Sequence, residues 1–114
     1  MIAEPGQPFV RIVWAVNPFR GDKFQAWGAP FAELALDFGA TAWAFVRSRE
    51  DPLTFEQYAA FPTKTDFERY WYSEEAATMR VEATGLFQVP VLPEWFTTVG
   101  SGASVTFEEL QRQE

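Results

Sequence analysis

The segment Phe9–Val16, FVRIVWAV, is apolar on both sides. Side chains alternate along a strand, so Val10, Ile12, Trp14 and Val16 share one face and Phe9, Arg11, Val13 and Ala15 the other. An antiparallel strand with one wetted face reads apolar-polar in strict alternation. This one does not, which implies cover on both sides. A chain of 114 residues builds one domain around one core. Its own helices can cover one face of a sheet, and the second cover has to come from elsewhere. A two-fold partner stacking sheet on sheet is the economical source, so a homodimer is expected.

The remaining elements follow from period and punctuation. Asn17-Pro18 ends the first strand, and Phe24, Trp27, Phe31, Leu34, Ala35 and Phe38 then recur at helical spacing. Asp22 with Gln25 resembles a capping box, Pro30 predicts a kink or restart, and Gly39 suits a left-handed terminus. Thr41–Arg49 and Leu53–Phe61 read as a hairpin, with Trp43, Phe45 and Arg47 on one face of its first strand. Thr65-x-x-Glu68 predicts a helix from Asp66, and Ser73 before Glu74-Glu75 predicts a second cap and a bend. Gly85 ends that segment, and Leu86–Val99 reads as a fourth strand, irregular at Pro90 and Pro93. The order β-α-β-β-α-β predicts an α+β, ferredoxin-like domain over residues 1–99 with a four-stranded antiparallel sheet. Residues 100–114 read as a flexible GSGAS linker and a short tail helix capped at Thr106.

Composition removes several functions. The net charge is −7 and no Lys/Arg cluster exists, so neither nucleic acid nor an anionic membrane is an expected partner. Histidine and cysteine are both absent, which excludes a Ser-His-Asp relay, a Cys nucleophile, a thiolate zinc site and His-ligated haem or metal. Neither a signal peptide nor a membrane span is legible, and the plain reading is a cytoplasmic protein. Aromatic residues make up 18%, heavy for so small a domain, and a cavity or a partner surface should take some of them.

The element order, the segment FPTKTDFERYWYSEEAA and the junction VNPFRGDKF resemble the dimeric α+β barrel superfamily, and within it the antibiotic biosynthesis monooxygenase family. The resemblance covers roughly Phe9–Val99. It implies either a cofactor-independent oxygenase of aromatic or quinol-type substrates or a haem-degrading enzyme, alongside relatives without known activity. The haem branch carries a Trp three residues before the helix-break Ser and a haem-ligating His seven after it. Tyr70 and Arg80 stand there in this chain, so the proximal ligand is missing. No cofactor is expected.

The candidate site residues each carry two readings. Phe67, Tyr70 and Trp71 share a helix face, as a packing stripe or as one wall of a pocket between sheet and helices, which Trp14 and Trp43 would also line. Arg11, mid-strand among apolar neighbours, either pairs with Glu56 or anchors a phenolate or carboxylate. Arg80 either complements a helix C-terminus or serves as a second anchor. Glu56 and Tyr58 are the acid/base candidates, Glu56 on condition that burial raises its pKa; otherwise they are solvent or dimer-contact residues. Two functions remain open: a small cofactor-free monooxygenase-like protein acting on an aromatic ligand, and a non-catalytic binding or dimerisation module.

Overall fold

A computed structural model of the chain describes residues 4–104. Strands β1 (Pro8–Ala15), β2 (Ala42–Arg47), β3 (Thr54–Ala60) and β4 (Glu94–Thr97) form one sheet in the order β2-β3-β1-β4. Every pairing is antiparallel, with Arg11 opposite Tyr58 on one side and Glu94 on the other. Helix α1 (Gly21–Glu33) with a 3₁₀ extension (Leu34–Phe38) links β1 to β2; α2 (Lys64–Trp71) and α3 (Glu74–Glu82) follow β3. This is the expected ferredoxin-like α+β arrangement, its second helix bent at Ser73.

The two faces of β1 have different fates. Val10, Ile12 and Trp14 are fully buried beneath the helices, where the Trp14 ring meets Phe24, Trp27 and Phe31 of α1 at 5.5–5.9 Å. Phe55 and Ala59 of β3 extend that core. The opposite face carries Phe9, Arg11, Val13, Tyr58, Val46 and Phe96; among the described residues no helix packs on it, so it is called the bare face, and Val13, Val46 and Phe96 are exposed.

Local chemistry explains the helix ends and three departures from expectation. Ser73 caps α3 as predicted, accepting from the Ala76 N–H at 3.0 Å while its hydroxyl donates to the Tyr70 carbonyl at 2.8 Å. The cap of α2 is Thr63 rather than Thr65. The same spacing template is met two residues earlier, and Thr63 has the extended backbone a cap requires. Asp22 caps nothing. A guanidinium arriving from β2 takes it instead, Arg47 Nη1 donating to Asp22 at 2.8 Å and to Gln25 at 3.0 Å. Pro30 does not interrupt α1, because Phe31 and Ala32 beyond it are locked into the core; tightening to 3₁₀ comes only after Glu33.

Gly28 permits a close contact, since a Cβ there would lie 2.2 Å from the Phe45 ring. The fourth strand is far shorter than expected. Apart from one bridge between Phe87 and Val16, pairing begins only at Glu94, because Pro90 and Pro93 have no N–H to donate. The expected tail helix lies outside the described residues.

Phe19 is the only non-glycine residue with positive φ among those described, at 67°, and its side chain is 98% exposed. The left-handed region is strained for a side chain by about 1–2 kcal/mol, partly offset in a glycine variant by extra unfolded-state entropy. No packing is lost with so exposed a ring. Phe19→Gly is therefore expected to stabilise the protein by about 0.5–1 kcal/mol, read as a rise of a few degrees in thermal midpoint.

Candidate functional site

The sheet separates the predicted site residues into two groups. Arg11, Glu56 and Tyr58 lie on the bare face; Trp14, Trp43, Tyr70, Trp71 and Arg80 lie on the helix side. They cannot line one pocket.

On the bare face, the Glu56 carboxylate receives two donors at one oxygen: Arg11 Nε at 2.5 Å and the Tyr58 hydroxyl at 2.7 Å. Glu94 stands 3.8 Å from Arg11 Nη1. Phe9 stacks on Tyr58 at 5.5 Å, and a shallow cleft of about 470 Å³ opens beside them, floored by Phe9, Arg11, Tyr58 and Phe96 and walled by Thr97–Gly102. The ion-pair reading of Arg11 is the one observed. It also reverses the condition set for Glu56. Hydrogen bonds from Arg11 and then Tyr58 hold the carboxyl below its ordinary range, whereas a general base at neutral pH needs the opposite shift. Desolvation, then the Glu56 carboxylate, pushes the Tyr58 hydroxyl up. The cluster is thus a fixed carboxylate–phenol–guanidinium unit.

On the helix side, Tyr70 and Trp14 belong to a dry core. Trp14 Nε1 donates to Gln57 Oε1 at 3.2 Å, Gln57 Nε2 donates to the Tyr70 oxygen at 2.9 Å, and Tyr70 donates to the Phe31 carbonyl at 2.6 Å. Burial pushes the Tyr70 hydroxyl up, out of reach of neutral-pH chemistry. Gln57, which sequence reasoning passed over, is the buried polar residue that joins sheet, α1 and α2. Trp43, on the edge strand β2, is half-buried. These rings are packed against one another, and the nearest groove they border lies further along, beside Trp71.

That space is an open groove of about 480 Å³ between α3 and the segment entering β4, walled by Trp71, Arg80, Val81, Phe87, Val89 and Val91. The Arg80 guanidinium lies over the Trp71 ring at 4.4 Å and near the Phe31 ring at 6.0 Å. Its Nη2 donates to the Trp71 carbonyl at 2.6 Å. Its Nη1 is buried and has no hydrogen-bond partner. Desolvation draws the guanidinium below its usual range. A half-buried cation with one unpartnered nitrogen beside an apolar groove is an acceptor-seeking group. Among the described residues, no group of three or more Asp or Glu side chains is gathered closely enough to hold a metal ion, and no helix is long and apolar enough to cross a membrane.

The β2-β3-β1-β4 antiparallel sheet with helices on one face is a ferredoxin-like α+β fold that this chain shares with solved structures named as antibiotic biosynthesis monooxygenases. Among solved structures it is similar to a Nitrosomonas europaea protein provisionally named an antibiotic biosynthesis monooxygenase, with a TM-score of 0.74 at 15% identity over 87% of this chain and 96% of that one. It is similar to SnoaB, a cofactor-independent oxygenase from Streptomyces nogalater, with a TM-score of 0.68 at 14% identity, covering 90% and 97%. A second Nitrosomonas europaea protein, NE2512, of unknown function, gives 0.71 at 19% identity, covering 88% and 96%. At these identities the shared property is the fold. No protein-family model matches the chain, and neither does any curated protein.

Proposed function

We propose that this protein is a homodimer that binds a small hydroxylated aromatic anion in the Trp71–Arg80 groove and oxygenates it without a cofactor. The observation that carries the reading is Arg80: its side chain lines an apolar groove of ligand size, and its Nη1 has no hydrogen-bond partner. A phenolate or carboxylate oxygen would supply the missing acceptor, and Trp71, Phe87 and Val89 would supply apolar contact to the ring. The guanidinium favours the ionised phenol. A ring carbon so activated passes electrons to dioxygen; one oxygen atom enters as a carbonyl, and the other leaves as water with the one hydrogen that carbon loses and the proton of the phenol, whose C–O bond becomes the second carbonyl of a quinone. Arg11, Glu56 and Tyr58 stand on the other face of the sheet, where they act as contact residues of the dimer.

A second reading, ligand binding without catalysis, draws on one specific observation. None of the residues walling the groove is a carboxylate or a histidine, so proton removal rests on the substrate's own acidity. The test uses 1-hydroxy-2-naphthoate as probe. Saturable quenching of tryptophan fluorescence is expected for the wild type. Arg80→Gln should weaken binding roughly 10- to 100-fold, the worth of one charge-assisted hydrogen bond in a desolvated setting. Wild-type binding that Arg80→Gln leaves unchanged removes the site. Oxygen uptake with easily oxidised polycyclic phenols separates the enzyme from the binding module.

A further inference from the structure

A second groove of about 480 Å³ lies on the other side of Trp71, between α2 and the same strap of chain, with Phe67, Tyr72, Leu92 and Trp95 among its walls. The two grooves have two lining residues in common, Trp71 and Val91. These two side chains are therefore the partition between them.

They are held very differently. Trp71 is the last residue of α2, and its ring is packed against those of Trp14, Phe31 and Phe67 at 5.8–6.1 Å. Val91 sits in the middle of the strap Val89–Pro93. The strap is anchored before it by Gln88, whose N–H donates to the Ala15 carbonyl, and after it by β4. Among the described residues, no hydrogen bond is made by any group of the strap itself. Pro90 and Pro93 have no N–H to give, while Val89 and Leu92 are 79% and 74% exposed. Among the described residues, Val91 is the one in the middle of the strap that packs against the core. Segments with few buried contacts and no backbone bonds are those that open at least free-energy expense.

We infer that Val91 sets the length of ligand the site accepts, standing with Trp71 as a partition across one longer trench. The inference rests on the groove reading above. With Val91 in place, the Arg80 half accommodates one or two fused rings. With its side chain removed, the two halves join into a trench in the upper part of the usual size range for small-molecule sites, open to a linear three-ring aromatic anion. Val91 touches the far end of the ligand, not the anionic end, and is a specificity-determining residue.

The experiment is a ring-length series read by tryptophan quenching and calorimetry: 2-hydroxybenzoate, 1-hydroxy-2-naphthoate and anthracene-2-carboxylate against wild type, Val91→Ala and Val91→Leu. The three-ring probe is expected to bind Val91→Ala at least tenfold more tightly than wild type, while the two-ring probe changes by less than threefold. Val91→Leu, which thickens the partition, should weaken the two-ring probe and leave the one-ring probe unaffected. Should Val91→Ala not fold, the Val91→Leu arm decides alone. Binding by the wild type with the same length profile in every folded variant overturns the partition and leaves the Arg80 site standing. Absence of binding for all three probes overturns both together.

Discussion

Gln57→Leu is expected to lower the stability of this protein by about 2–4 kcal/mol, seen as a fall of roughly 10–20 °C in thermal midpoint by circular dichroism. Among the described residues Gln57 is the one buried side chain that ends in an amide or a charge, and both ends of its amide are engaged. Leucine has similar bulk, so the loss is not one of packing. It is the Trp14 N–H left without an acceptor and the Tyr70 oxygen left without a donor, both beneath fully buried rings. Tyr70→Phe should be milder, about 1–2 kcal/mol, because the Phe31 carbonyl and the Gln57 amide each lose one partner. The double variant is the diagnostic. With both polar groups gone, one desolvation penalty disappears, and the combined loss should fall short of the sum of the singles by about 1 kcal/mol. A Gln57→Leu protein within 0.5 kcal/mol of wild type would show that the relay contributes nothing.

The relay also marks the limit of what the sequence discloses. Gln57 lies between Phe55 and Ala59 on one strand face, so its burial follows from parity alone. Its partners lie 43 and 13 residues away in the chain, and no local rule points to them. Interactions confined to a few residues were legible: Ser73 as a cap, Gly39 in the left-handed region, the helical stripe of Phe24 and Phe31 on α1 and that of Phe67 and Tyr70 on α2. So was the Arg11–Glu56 pair, because both residues fall mid-strand on adjacent elements. That Arg11 and Trp14 cannot serve one pocket is legible too, since three residues apart on a strand means opposite faces. What the sequence conceals is competition. Thr63 and Thr65 both fit a capping template, and Asp22 is drawn from its cap by an arginine whose approach depends on the whole hairpin. The walls contributed by Val89 and Val91 are concealed for a related reason. Proline removes the periodicity by which a strand would be read, and the strap takes its position from packing alone.

Val13→Lys is expected to turn a dimer into a monomer, and it tests the inference from which the rest began. Val13 lies in the middle of β1, exposed on the bare face, with Glu56 as its cross-strand neighbour on β3. In an isolated protomer a lysine there is harmless. It faces water and gains an opposite charge across the ladder, so protomer stability should change by no more than about 0.5 kcal/mol. In a dimer that stacks two such faces, the same ammonium is taken out of water among Phe9, Phe96 and Val46. Burying a charge that is only partly paired should weaken association by at least about 3 kcal/mol, two decades in dissociation constant. The direction of the charge change sharpens the test. Each chain carries −7, so an added lysine lowers the repulsion between protomers, and a loss of assembly cannot be assigned to net charge. Sedimentation velocity over a micromolar concentration series reads both quantities. A wild type that stays monomeric at tens of micromolar would leave Val13, Val46 and Phe96 as ordinary solvent-facing residues, and strands apolar on both sides would then be no evidence of a partner.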